Sequence, residues 1–139
     1  MTDPHVRHST LEWQGDFRFL AGGPSGPQVL IDGNSVEGPS PVVTLLLAAG
    51  ACSGSDVVDI LRKGKMEPSR FTLEVSGRRR EDYPKRYTEI RMVFRVAGEG
   101  ITEAKVRRAV DLSIEKYCSV VLSLNPDIPV TTEIVIEPV

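Results

Sequence analysis

The stretch SPVVTLLLAAGACSGSDVVDILRKGK, residues 40–65, decides the fold because it predicts a buried helix with a cysteine at its middle. Ser40 is a good N-cap, and Pro41 suits the first helical position because its missing N–H is not needed there. Two cations in the last turn complement the negative end of the helix dipole, and Gly64 can adopt the left-handed conformation that closes many helices. The sequence therefore marks both ends of the helix.

The first half of this helix is apolar on almost every face. Residues 42–52 contain no charge, which is typical of a helix surrounded by protein. The run is too short for a bilayer, because about 20 apolar residues are needed and Asp56 and Asp59 interrupt it. A single sheet covers only one side of such a helix. We therefore expect a second copy of the chain on the other side, and a large apolar homodimer interface.

Length and charge limit the remaining possibilities. A chain of 139 residues with 40% hydrophobic residues predicts one domain over residues 1–139. A net charge of −2 gives no global basic field for a nucleic acid or an anionic membrane, so neither partner is expected. Residues 1–10 contain no apolar run of the kind that directs export, so we expect a cytoplasmic protein.

Before the helix, residues 10–13, 17–20 and 28–32 read as short strands separated by a tight turn and a looser turn at 22–27, which predicts a meander. Phe17 and Phe19 alternate with Arg18. The second strand is therefore expected to bury the two rings on one side and to project the guanidinium from the other.

After the helix, alternating apolar residues at 71–75 and 90–96 predict two half-buried strands. The basic segment between them, residues 78–86, is interpreted as a solvated hairpin end. Thr102 is the N-cap of a second helix that is expected to end near Asn125 and to carry Cys118 on its buried face. A last strand covers residues 130–136. The order βββ-α-ββ-α-β predicts an α+β fold.

Cys52 and Cys118 leave two interpretations open. Free cysteines are often small buried hydrophobes without chemistry. If the two helices pack against each other, however, the sulfurs could approach disulfide range. A reactive cysteine at mid-helix gains nothing from the helix dipole and needs a nearby cation, for which Arg18 is the best candidate.

These residues carry a family resemblance. Pro41 followed by an apolar helix up to Cys52, then SDVVDIL at 55–61 and EKYCSV at 115–120, resembles the OsmC/Ohr superfamily, in particular its uncharacterised OsmC-like subgroup. The resemblance implies an OsmC-like fold with two long central helices in an intertwined homodimer. It also implies thiol-dependent reduction of organic hydroperoxides, in which Cys52 attacks the peroxide and Cys118 resolves the sulfenic acid as a disulfide. Arg18 would match the arginine that supports the first thiolate in the family, with Arg7 as the alternative.

One position departs from the family pattern. Strongly active members resemble each other in having a glutamate one or two residues after the proline that opens the helix, where this chain has Val42 and Val43. The peroxidase could therefore be weak unless Glu37 or Asp56 replaces that acid. An acid one turn from Cys52 disfavours a thiolate, so Asp56 is interpreted as a surface or interface carboxylate.

Three functions follow for comparison. The first is a peroxidase whose partners are a small organic hydroperoxide and a dithiol reductant. The second is a non-catalytic module that binds an apolar or acyl ligand in the dimer cavity, and the third is a redox sensor. No cofactor is implied. His5 and His8 lack a third ligand at a recognisable spacing, so no metal site is expected.

Overall fold

The computed structural model describes residues 3–22 and 26–139. Part of the predicted looser turn at 22–27 and the first two residues of the N-terminal segment lie outside these ranges. The elements follow in the predicted order: β1 Leu11–Trp13, β2 Arg18–Ala21, β3 Val29–Asp32, α1 Pro41–Lys63, β4 Arg70–Arg79, β5 Tyr87–Ala97, α2 Glu103–Leu112 and β6 Val130–Ile136. The α+β class is therefore confirmed.

Contacts along the chain define two compact units, Met1–Leu45 and Leu46–Val139. That residues 1–139 form a single domain stays a prediction. Each unit contains one three-stranded sheet, and the division falls within the first turns of α1.

The sheet of the first unit is an antiparallel meander in the order β1-β2-β3, as predicted. The expected burial of its two phenylalanines is wrong: Phe17 precedes β2, and Phe17 and Phe19 are 62% and 38% exposed. The strands are only three or four residues long, and the rings line an open cavity of about 570 Å³ together with Leu11 and Ile31. Within the described part of the unit, that cavity is not filled by other side chains.

The helix α1 begins where the sequence predicts. The N–H of Val43 donates to the Ser40 Oγ at 3.3 Å, which is the expected N-cap bond. At 23 residues the whole helix, unlike its shorter uncharged run, is long and apolar enough to cross a membrane by length and composition alone. The core helix of a water-soluble protein passes the same test. Here Ala49 and Val57 are fully buried by the second unit.

The end of α1 differs by one residue from the prediction. The Met66 N–H donates to the Leu61 carbonyl and the Lys65 N–H to the Arg62 carbonyl, both at 2.9 Å. These are the paired bonds of a Schellman motif. Its left-handed residue is Lys65, with φ 62°, and not Gly64.

The sheet of the second unit has the order β4-β5-β6, with β5 antiparallel to β4 and parallel to β6. The predicted apolar face of the central strand β5 is at most 1% exposed and consists of Ile90, Met92, Phe94 and Val96. The helix α1 lies close to β4, since a Cβ added at Gly50 would come within 2.8 Å of the Val75 Cγ2. One face of α1 is thus buried against the sheet.

The second helix starts as predicted but ends early. The Thr102 Oγ1 accepts the Lys105 N–H at 3.3 Å, whereas the regular helix ends at Leu112 and not near Asn125. The chain then widens into a π-helical turn, Ser113–Tyr117, closed by the Cys118 N–H donating to the Ser113 carbonyl at 2.7 Å. Of the two expected long helices, only α1 is long.

The basic hairpin end between β4 and β5 is solvated. Arg78 pairs with Glu89 at 3.1 Å, and Arg86 pairs with Asp127 at 2.8 Å. Tyr83, the aromatic residue of the segment, is 84% exposed. The cations are therefore balanced by acids of the same surface, which does not favour a phosphate-binding patch.

Candidate functional site

The second unit brings the two cysteines together. Cys52 lies at mid-helix in α1 and is half-buried, whereas Cys118 follows the π turn and is fully buried. Both are free thiols, and they lie close enough for Cys52 to influence the ionisation of Cys118. A half-buried thiol thus lies near an enclosed one.

Enclosure makes Cys118 a weak acid. Burial raises the pKa of the Cys118 thiol from its ordinary value to about 11, and the neighbouring Cys52 thiol acts in the same direction. The Val121 N–H, which donates to the Cys118 Sγ at 3.5 Å, partly offsets this rise. Cys118 is therefore protonated at neutral pH.

A buried polar network connects α1 to the π turn. The Ser113 Oγ donates to the Asp56 Oδ2 at 2.8 Å and lies 2.9 Å from the Ser53 Oγ. A serine hydroxyl has a single proton, and that of Ser113 is given to Asp56, so Ser53 is the donor in the second bond. Both serines are fully buried.

The sequence missed this network. Ser113 stood as a polar residue within the apolar stripe of the second helix, which was the available signal, and Ser53 was not singled out. Asp56 was interpreted as a surface or interface carboxylate. It is half-buried, and its partner Ser113 belongs to the turn that carries Cys118.

A cavity of about 650 Å³ opens beside the network. Its lining includes Asp56, one helical turn after Cys52, and Tyr117, the residue before Cys118, but neither cysteine itself. Its remaining lining combines apolar side chains with a few charges: Ile60, Leu61, Met66, Leu112, Gly64, Asp59, Lys63, Lys105 and Arg108. Its size and composition suit a small, largely apolar molecule.

Arg18 belongs to the first unit, where it has an acidic partner. Its Nε lies 3.1 Å from the Glu37 Oε2. Asp32 organises the loop that carries Glu37: it accepts the backbone N–H groups of Glu37 and Asn34, and these bonds hold the pKa of the Asp32 carboxyl below its ordinary value. The role of Arg18 toward Cys52 stays a prediction.

Arg7, the alternative to Arg18, is exposed, and its Nη1 donates to the Pro4 carbonyl at 2.9 Å. Across residues 3–22 and 26–139, no group of three or more His, Cys, Asp or Glu side chains is placed to hold a metal ion.

Comparisons with known proteins agree with this fold. The model of the OsmC-like protein family matches residues 32–133. Protein YhfA of Escherichia coli K12 is 43% identical over 122 residues, which cover 87% of this chain and 91% of YhfA.

Solved structures of other proteins show the same fold. A hypothetical protein from Aquifex aeolicus is 31% identical, with a TM-score of 0.86 over 97% of this chain and 98% of that one. The organic hydroperoxide resistance protein OhrB of Bacillus subtilis has a TM-score of 0.60 at 16% identity, over 91% of this chain and 96% of that one, and shows the fold alone. With its family match over more than two thirds of its length, this chain belongs to the OsmC-like protein family.

Proposed function

We propose that the chain is a thiol-dependent peroxidase that reduces organic hydroperoxides, with Cys52 as the attacking thiol and Cys118 as the resolving thiol. The observation that carries this proposal is the proximity of two free thiols on different segments, one half-buried and one fully buried. An attacking thiol must meet its substrate, whereas a resolving thiol needs only to meet the oxidised sulfur. The name of the Bacillus subtilis neighbour, an organic hydroperoxide resistance protein, supports the same class of substrate.

The reaction has three steps. The Cys52 thiolate attacks the outer oxygen of the hydroperoxide, the O–O bond breaks, and the alcohol leaves with a proton while Cys52 becomes a sulfenic acid. The Cys118 sulfur then attacks the Cys52 sulfur, an S–S bond forms, and the departing hydroxide takes the Cys118 proton to give water. A dithiol reduces the disulfide to two thiols and is itself oxidised to a disulfide.

The surroundings of the thiols favour an organic substrate. The cavity lined in part by Asp56 has space for a hydrocarbon group and offers Ile60, Leu61 and Met66 as apolar contacts. Hydrogen peroxide gains nothing from such contacts. The cavity thus supports a preference for alkyl hydroperoxides over hydrogen peroxide.

We also propose Arg18 as the cation that supports the Cys52 thiolate, held in place by Glu37. The ion pair between Arg18 and Glu37 supplies the acid that the helix start lacks at Val42 and Val43. Thiolates form preferentially next to a cation. A peroxidase of this family without the helix-start glutamate is therefore still provided with an oriented arginine.

A homodimer is part of the same proposal. On the side of α1 away from the buried core, Leu47 is 53% exposed, and an apolar groove of about 650 Å³ runs from it to Phe71, Leu73 and Val75 of β4. An apolar groove of this extent on a chain of this size marks an interaction surface. A second copy of the chain is the occupant we propose, in the cytoplasm, where thiols stay reduced.

The same groove favours a second candidate function. Its lining of Leu47, Gly50, Ala51, Phe71 and Leu73 could also receive an apolar or acyl ligand, with the thiols as packing groups. Thiols that do not react with peroxide would support this second candidate function.

The peroxidase is tested on the reduced protein with one equivalent of cumene hydroperoxide or, separately, of hydrogen peroxide. Free thiols are followed over time, and the product is located by peptide mass spectrometry. We expect both thiols to disappear together into a Cys52–Cys118 disulfide, faster with the organic peroxide. Cys118→Ser should accumulate a Cys52 sulfenic acid, and Cys52→Ser should not react. Thiols that persist for hours in the wild type would refute the peroxidase.

The raised pKa of Cys118 predicts that this thiol ionises only at high pH. In the reduced Cys52→Ser variant, the ¹³Cβ chemical shift of Cys118 should titrate with a midpoint well above the ordinary value of 9.0, because burial is the main cause of the shift to about 11 and remains in the variant. With a pKa near 11, about 0.1% of the thiol is ionised at pH 8. Circular dichroism at each pH controls for unfolding. A midpoint at or below 9.0 contradicts the enclosed, protonated resolving thiol.

The proposed role of Arg18 predicts that Arg18→Gln slows the first oxidation of Cys52 by about tenfold or more, since the thiolate loses its cation. Glu37→Gln should slow it less, because the guanidinium remains but is no longer held. Arg7→Gln is the matched control and should leave the rate within twofold. The assignment fails if Arg7→Gln slows the reaction more than Arg18→Gln does.

The homodimer predicts a mass in solution of about twice the 15.3 kDa of the chain, measured by light scattering. Leu47→Asp should shift the protein toward monomer, because it places a charge in the proposed interface. Leu122→Asp, at the same exposure of 53%, is the control. A wild type that stays at the monomer mass at tens of micromolar excludes the dimer.

A further inference from the structure

We propose that Asp56, Ser113 and Ser53 are positioning residues that hold Cys118 in reach of Cys52 for disulfide formation. This inference rests on the proposed function and adds to it the groups that control the resolving step. None of the three side chains is needed to attack the peroxide.

The network lies between the two segments that carry the cysteines. The three side chains join α1, which carries Cys52, to the π turn Ser113–Tyr117, which ends at Cys118. Ser53 is the next residue after Cys52, and Asp56 follows one turn later. The network therefore connects the two segments whose separation sets the distance between the sulfurs.

Ser113 is held through both its backbone carbonyl and its side-chain hydroxyl. Its carbonyl accepts the Cys118 N–H at 2.7 Å, which closes the π turn, while its hydroxyl is held by Asp56 and Ser53. A displacement of the Ser113 backbone is thereby transmitted directly to Cys118. Because a π turn is rarely populated without support, the side-chain bonds of Ser113 stabilise the conformation that presents the Cys118 sulfur.

Burial strengthens the dependence of this network on its own hydrogen bonds. Ser53 and Ser113 are fully buried, so neither hydroxyl can replace its partner with bulk water. An acceptor with a negative charge makes the Ser113–Asp56 bond stronger than a neutral pair. Removing one partner leaves a buried hydroxyl without a bond, and the segment gains freedom to move.

The consequence concerns one step only. Attack on the peroxide needs Cys52 with a hydroperoxide beside it, whereas disulfide closure needs the Cys118 sulfur at a fixed place. Loss of the network should therefore lengthen the life of the Cys52 sulfenic acid without slowing its formation. A purely structural residue would not separate the two steps in this way.

The first experiment separates sulfenic acid formation from disulfide closure. Ser113→Ala is mixed rapidly with cumene hydroperoxide, and a dione probe that captures sulfenic acids is added at intervals. We expect formation within twofold of wild type and closure at least tenfold slower. Ser123→Ala is the control, because the Ser123 hydroxyl donates to the Ser119 carbonyl of its own turn at 2.6 Å and not to α1 among the described residues.

The second experiment needs no peroxide. The two thiols are equilibrated with reduced and oxidised glutathione, so that oxidation of Cys52 and Cys118 to a disulfide is balanced by reduction of glutathione disulfide to two thiols. The ratio of disulfide to dithiol protein at a known glutathione composition gives the effective concentration of one thiol at the other. We expect Ser113→Ala to lower it at least tenfold and Ser123→Ala to leave it within twofold.

Asp56 provides a test that does not depend on the stability of Ser113→Ala. In Asp56→Asn the amide oxygen still accepts the Ser113 proton, so closure should stay within about threefold of wild type. Asp56→Ala removes the acceptor and should lower the effective concentration in the glutathione equilibrium at least tenfold, as Ser113→Ala does.

Effective concentrations within twofold of wild type for both Ser113→Ala and Asp56→Ala would overturn the inference. A wild type that ignores peroxide but shows the expected glutathione equilibria would refute the proposed function and leave the positioning network supported.

Discussion

Burial of α1 is the constraint on which the rest of the structure depends. A helix of 23 residues with an uncharged first half must be covered by other apolar groups. The β4–β5 sheet covers one face so closely that Gly50 leaves no room for a side chain beside Val75. Another part of the helix faces the π turn, where Ser53 meets Ser113. The environment of Cys52 is a consequence of this packing.

Local chemistry explains why much of the fold could be predicted from the sequence. Ser40 and Thr102 cap their helices through hydroxyl groups that act within three residues, so their signals need no tertiary context. The alternation along β5 is equally local and gave the buried face of the central strand. The end of α1 shows the limit: Lys65, which has a side chain, takes the left-handed conformation next to a glycine better suited to it.

Long-range contacts explain what could not be predicted. The π turn after Leu112 involves a serine whose partner Asp56 lies 57 positions away in the chain, and periodicity contains no information about such a bond. The buried position of Cys118 followed from the apolar stripe, but the turn that sets it did not. The sequence also offered Glu37 or Asp56 as a replacement for the missing acid and disfavoured Asp56, because an acid one turn from Cys52 opposes a thiolate. The structure separates them, since Glu37 pairs with Arg18 and Asp56 with Ser113.

The central claim is that the two thiols are already placed to form a disulfide within the folded chain. A crystal structure of the protein after exposure to cumene hydroperoxide tests this most directly. The account predicts continuous density between the Cys52 and Cys118 sulfurs, with α1 and the π turn Ser113–Tyr117 in the conformation of the reduced protein. Separate sulfurs, with Cys52 oxidised beyond the sulfenic acid and Cys118 still a thiol, would contradict it.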